Sequence, residues 1–320
     1  MNRRIGLVVL FACVVEIPEV ALAQAFPTKP IRVIVPFTAG GTVDPMMRRV
    51  AEPLAKGLGQ PVLVENKPGG GTVIAIDFAA KSNPDGYTLV IVSNSFTANH
   101  TLVPKLPYDT LKDLRPVGLM TRMPNVLVGN PGVMAKNLGE LIAYAKANPG
   151  KLSYASPGNG SVQHLMVESL KSAAGVNILH VPYRGAATAD LLGGQIDLMV
   201  GTLPPLLQHI RSGRIKSFGV ANSTRTQAAP ELPTVAEQGY LGFDFNSWYG
   251  LAAPAAVPDQ IVARLNTELV RALSSSEIRK SFVAQGIELI PGTSEELGAH
   301  IRSEIAKYAK VIKEANIKLD

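Results

Sequence analysis

Residues 31–58 read IRVIVPFTAGGTVDPMMRRVAEPLAKGL. Ile31–Pro36 is an unbroken apolar run of strand length. Asp44–Leu58 carries Met46, Met47, Val50, Leu54 and Leu58 at helical spacing, and Gly40 and Gly41 sit in the loop between the two. A strand apolar on both faces is covered by helices on both sides, so this stretch predicts a parallel sheet in an α/β protein. The rhythm repeats on either side of the Asn83-Pro84-Asp85-Gly86 turn, with strand Pro61–Val64, helix Thr72–Lys81 and strand Thr88–Val92. Farther along, strands Leu152–Ala155, Ile178–Val181, Ile196–Val200 and Lys216–Ala221 alternate with helices Leu138–Ala147, Ser161–Ala174, Ala189–Gly193 and Pro205–Ser212. The last hundred residues supply strand Phe245–Ala252 and helices Asp259–Leu273, Ser276–Gln285 and Ser294–Ala315. The final helix keeps Leu297, Ile301, Ile305, Tyr308 and Ile312 on one stripe, which predicts a surface helix packed on a domain.

Two extended stretches, Pro116–Gly129 and Phe243–Ala253, read as crossovers between lobes. The chain of 320 residues suits roughly two domains of about 150 residues each. The expected division is domain 1 from residues 24–125 and 244–320, and domain 2 from residues 126–243. Two α/β domains joined by two crossover strands leave a cleft at the carboxyl ends of both sheets, where ligands bind in such folds.

Met1–Ala23 reads as an export signal: Arg3 and Arg4, then the apolar run Ile5–Val15, then Ala21-Leu22-Ala23 before Gln24. The run is shorter than the ~20 residues needed to span a bilayer. Cleavage after Ala23 would remove Cys13, the sole cysteine, and deliver a soluble product to the periplasm. A single cysteine rules out a disulfide framework within the chain, and no Cys/His spacing suits a metal. The net charge is +6, but Lys and Arg are scattered and only one Trp is available for stacking, which argues against nucleic acid. A mild positive field suits a small anion.

Three loops each follow a strand and open a helix. In Pro36–Asp44 the glycines permit close backbone approach, and the helix start favours an anion; Asp44 stands where an N-cap is expected, with no ligand contact required. Pro68–Thr72 reads as mainly structural. Ser156-Pro157-Gly158-Asn159-Gly160-Ser161 offers unpaired N–H groups and polar side chains, good equipment for a carboxylate. Catalytic templates fail: there is no G-x-S-x-G, no G-x-x-x-x-G-K-[ST] and no H-E-x-x-H, and Gly158-x-Gly160 lacks the third glycine of a dinucleotide fingerprint. No cofactor or metal is expected. A Ser156–His164–Asp197 triad can be drawn, but His164 lies on the helix beyond the serine loop; His180, in a strand, reads as a core residue.

These loops, in this order, resemble the extracytoplasmic solute receptors of tripartite tricarboxylate transporters, the Bug family. The resemblance covers essentially the whole mature chain. It rests on VPF at 35–37 with Gly40, Gly41 and Asp44, VENKPG at 64–69, PDGYTL at 84–89, LPYD at 106–109 and YAS at 154–156 with Gly158–Gly160. HVPYRG at 180–185, DLLGGQ at 190–195, PTVAE at 233–237 and SWYGL at 247–251 complete it. It implies a two-lobed type II periplasmic-binding-protein fold that closes on a small organic acid and delivers it to membrane permease subunits, as a monomer and without catalysis.

By that resemblance Phe37, Ala39, Gly40 and Gly41 would hold one end of the ligand, partly through ordered water, and Ser93, Asn94 and Ser95 would line the same lobe. Ser156, Gly158, Asn159, Gly160 and Ser161 would take a carboxylate from the other lobe, with Tyr183, Arg184 and Gly185 opposite. Trp248 would wall the cleft, although a lone Trp is equally at home in a core. Two departures stand out. Gly201-Thr202 replaces a usual acidic or amide residue, so Thr202 lines the cleft without a counter-charge for an ammonium group. The Gly185–Asp190 segment is also about two residues short, by pattern alone. The competing functions are a periplasmic carboxylate-processing enzyme using Ser156 or His164, and a receptor that signals to a sensor kinase.

Overall fold

A computed structural model describes residues 26–183 and 187–318. The expected signal segment lies outside these residues. The run from residue 31 forms β1 (Ile31–Val35), with four of its five residues buried, and the helix after it is α1 (Val43–Leu58). Then follow β2 (Val62–Asn66), α2 (Val73–Ala80), β3 (Thr88–Ser93), α3 (Asn94–Leu102) and β4 (Leu114–Met123). Past Pro124 the chain builds β5 (Asn125–Gly129), α4 (Leu138–Ala147), β6 (Ser153–Ser156), α5 (Val162–Ala174), β7 (Leu179–Pro182) and α6 (Thr188–Leu192). After β8 (Leu198–Thr202), α7 (Leu203–Arg211) and β9 (Lys216–Val220) come β10 (Ser247–Pro254), α8 (Asp259–Ser274), α9 (Ser276–Ala284), β11 (Glu288–Leu289) and α10 (Ser294–Glu314).

The strands form two sheets, in the orders β11-β4-β10-β3-β1-β2 and β7-β6-β8-β5-β9. Each is parallel where strand–helix–strand units repeat, as in β1 with β2 and β3, and β6 with β7 and β8. Each also departs from the all-parallel expectation. β10 runs antiparallel to β3 and β4, and β5 runs antiparallel to β8 and β9. These are the strands that enter from the other lobe, so they arrive against the direction of the repeating units.

Two further differences come from tertiary context. The polar stretch after β3, NSFTANHTL, has no strong apolar period yet forms α3, because Phe96, Ala98 and Leu102 find apolar partners. The final helix serves more than one lobe. Leu297 and Ile301 pack with Phe96 of α3 and Trp248 of β10, while Tyr308, Val311 and Ile312 join Leu127, Leu165 and Leu170 in the core of the second sheet. A helix with its two halves in different cores joins the lobes by packing, each fully buried aliphatic side chain contributing about 1.5–3 kcal/mol.

Candidate functional site

The carboxyl ends of both sheets open onto one cleft of about 480 Å³. Its walls are loops that the local sequence shapes and pins. In the first, Gly40 takes φ +75°, and its N–H donates to Asp44 Oδ2 at 2.9 Å. Asp44 is the second residue of α1, not its cap. Its Oδ1 accepts from Arg48 Nε at 2.9 Å, Arg48 Nη2 donates to Asn66 Oδ1 at 3.0 Å, and Asn66 Nδ2 donates to the Phe37 carbonyl at 3.1 Å. The Gly40 N–H is the chief reason that the Asp44 carboxyl is held below the usual range, with Asn66 and Arg48 adding to it against the cost of burial. This ring presents Phe37, Thr38, Gly41 and Thr42 to the cleft; Ala39 and Gly40 are not among the lining residues.

The loop expected to be structural also reaches the cleft. Gly69, Gly71 and Thr72 line it, in a run of positive φ that Thr72 shares at +84°. A β-branched residue there is a strained exception. The polar strand end Ser93, with Asn94 and Ser95, lies on the same wall. Asn94 is not free for a solute: its Oδ1 accepts the Trp248 N–H at 3.0 Å, and its Nδ2 donates to Asn246 O at 2.9 Å and Tyr308 Oη at 2.7 Å.

On the second lobe Ser156, Gly158, Asn159, Gly160 and Ser161 all line the cleft, with Thr202 facing from β8. Two of the amides expected to be unpaired are turned inward. The Gly158 N–H donates to Ser156 Oγ at 3.2 Å, and the Gly160 N–H donates to His164 Nδ1 at 3.2 Å. Ser161 caps α5 by accepting the His164 N–H at 3.2 Å. The N–H groups of the next two residues, Val162 and Gln163, donate to no described residue, and both residues line the cleft. The anion-binding equipment of this loop is thus the helix start.

The imagined triad is not assembled. Ser156 Oγ lies 2.7 Å from His180 Nε2, and the rings of His180 and His164 stack at 4.2 Å. The Asp197 carboxylate is taken by the N–H and hydroxyl of Ser153, both at 2.8 Å. Tyr183 is likewise not among the lining residues; its hydroxyl donates to Asp190 at 2.8 Å, the first cause of its raised pKa. Arg184 and Gly185 lie outside the described residues.

Trp248 is displaced from its expected role by the period of two along β10. Ser247 and Tyr249 face the cleft, so Trp248 points the other way, 2% exposed, with its Nε1–H donated to Glu304 of α10 at 3.0 Å. Tyr249 is the aromatic wall instead, meeting Phe37 edge-on at 6.1 Å between ring centres. Burial pushes its hydroxyl up to about 12, so it remains an O–H group at neutral pH. Strand alternation was the signal that distinguished these two aromatics. Gln163 and Asn99 also line the cleft, and no motif marked them.

The whole arrangement carries an unusual electrostatic signature. The starts of α1, α2, α3, α5 and α7 meet at the cleft through Val43, Thr72, Asn94, Val162 and Thr202. No Asp, Glu, Lys, Arg or His is among the described residues that line it. Positive helix ends favour an anion, although at α1 the Asp44 carboxylate of the first turn offsets that field from behind the lining.

The model of the tripartite tricarboxylate transporter family receptor matches residues 46–317. The chain belongs to that family. The receptor is 37% identical to protein BugT of Bordetella pertussis over 323 residues, which cover 100% of this chain and 99% of BugT. Among solved structures it is similar to Rpa4515 of R. palustris with adipate, at 34% identity and a TM-score of 0.84, covering 92% of this chain and 99% of that one. It is also similar to MatC from Rhodopseudomonas palustris with bound malate, at 33% identity and a TM-score of 0.82, covering 90% and 100%. These likenesses establish the two-lobed receptor fold and make the chain a transporter receptor rather than an enzyme.

Proposed function

We propose that the receptor captures a small carboxylate in the cleft and presents it, as a monomer, to the permease subunits of its transporter. One observation carries the reading: the starts of five helices of eight or more residues converge on a cleft whose described lining holds no charged side chain. The relatives with adipate and malate support the same chemistry. The working lobes are residues 24–125 with 244–320, and residues 126–243. Sheet membership supports that division, since β1–β4 and β10–β11 share one sheet and β5–β9 the other. We assign the mature start to Gln24, after export to the periplasm. No helix among the described residues is long and apolar enough to cross a membrane.

Phe37, Gly41, Ser93, Ser95, Asn159, Ser161 and Thr202 are the contact residues of this reading, with the N–H groups of Val162 and Gln163 at the carboxylate. A thermal-shift screen of malate, adipate, citrate and benzoate tests it. A bound acid at 100 times its Kd stabilises the protein by about 2.7 kcal/mol and is recovered unchanged. Consumption of the acid would reinstate the enzyme reading, and no stabilisation by any carboxylate would end the receptor one.

A further inference from the structure

The floor of the cleft holds an amide whose orientation is dictated by a backbone carbonyl. Asn125 opens β5, where the chain enters the second sheet, and Ser247 opens β10, where it returns; Gln163 joins them from the first turn of α5. Asn125 is fully buried, and its side chain lies 2.7 Å from the Phe245 carbonyl. A carbonyl oxygen only accepts, so Nδ2 must face Phe245 and Oδ1 must face away from it. Oδ1 lies 3.0 Å from the Gln163 amide, which must therefore offer Nε2; that nitrogen also lies 3.4 Å from Ser247 Oγ. Gln163 Oε1 is what remains. It accepts from no described residue and is not among the buried, partnerless atoms, while Gln163 itself lines the cleft.

An acceptor at this point disfavours a bare carboxylate oxygen and favours an O–H or N–H. It belongs to the residue whose own N–H stands at the start of α5, so a solute carboxylate held there brings its neighbouring carbon within reach of Oε1. An ammonium group on that carbon would find no acidic partner among the described lining residues, whereas a hydroxyl needs only the acceptor. We propose that Gln163 Oε1 is a specificity-determining acceptor that makes the receptor prefer 2-hydroxy carboxylates over their deoxy analogues. The proposal rests on the carboxylate reading and narrows it.

Calorimetric titration of the full receptor with three pairs tests it: lactate with propionate, malate with succinate, and mandelate with phenylacetate. In the wild type the hydroxy member of a bound pair has a Kd about tenfold lower. In Gln163→Met that ratio falls to about twofold or less, whatever the change in the absolute affinities; general damage to the fold would weaken both members of a pair alike and leave the ratio unchanged. Equal affinity within a pair in the wild type overturns the proposal without recourse to any variant, and so does a preference that survives Gln163→Met. Aspartate binding more tightly than malate would assign the acceptor to an ammonium group and overturn the hydroxyl. A wild-type receptor that binds none of the six acids but is stabilised by adipate or benzoate overturns this proposal alone, whereas stabilisation by no carboxylate overturns the carboxylate reading with it.

Discussion

The two glycine loops that face each other across the cleft solve one problem with different chemistry. In each, a glycine N–H is donated to a side chain four residues later, in the first turn of the following helix. Gly40 meets the Asp44 carboxylate at 2.9 Å, and Gly160 meets the His164 imidazole at 3.2 Å. The first bond is charge-assisted and closed into a ring by Arg48 and Asn66. The second ends on a ring stacked upon His180. In neither loop is the glycine N–H left for a solute. The glycines give the backbone its turn, a helix side chain locks that turn, and the helix start behind it faces the cleft.

Asp44→Ala should therefore cause the largest loss, because it leaves the Gly40 N–H and Arg48 Nε without their acceptor. A cost of about 2–3 kcal/mol is expected in urea unfolding. A loss below about 0.5 kcal/mol would show that the ring does not hold the loop. The acid response sharpens the same point. Asp44 is depressed in the fold, so its contribution is complete above the ordinary carboxyl pKa of about 3.9 and is lost as pH falls through the folded value. Below about pH 4 the wild type should lose stability more steeply than Asp44→Ala as the pH falls; parallel curves would remove Asp44 from the acid transition.

His164→Ala should cost less, about 1 kcal/mol, since its bond to Gly160 is to a neutral acceptor. Should it cost more than Asp44→Ala in the same urea series, the ranking of the two loops is reversed. Arg48→Ala should cost least, about 0.5 kcal/mol, because its side chain is half exposed and surface ion pairs contribute little. An equal loss from Arg48→Ala and Asp44→Ala would instead mean that the ion pair, not the Gly40 N–H, pins the loop.

How far the sequence revealed this molecule varied with the kind of signal. Elements with a strong period were legible: the apolar run of β1, the helical stripe of α1 and the alternation of strands and helices through both lobes. α3 was not, because its polar sequence is helical only where Phe96, Ala98 and Leu102 find apolar partners. Ser156–Ser161 was legible as cleft wall, but not the inward turn of its amides, which depends on His164 one helical turn on. Trp248 misled as a rare aromatic near a crossover, where the alternation of β10 assigns the cleft to Tyr249. Gln163 left no sequence signal, since its orientation follows from a carbonyl 82 residues away in the chain, reached through Asn125.

The central claim is that helix starts, with no charged side chain among the described lining residues, read the charge of the solute. Calorimetric titration of the receptor with malate and with malamide, its neutral diamide, tests this most directly. The two differ little in size and share the hydroxyl, so charge and accepting oxygens are the main difference between them. A receptor that takes malate should bind it at one site per chain, with malamide about 100-fold weaker, as expected when two or more charge-assisted hydrogen bonds are lost. Malamide binding within about threefold of malate would contradict the account, because the helix starts would then be holding a shape and not an anion.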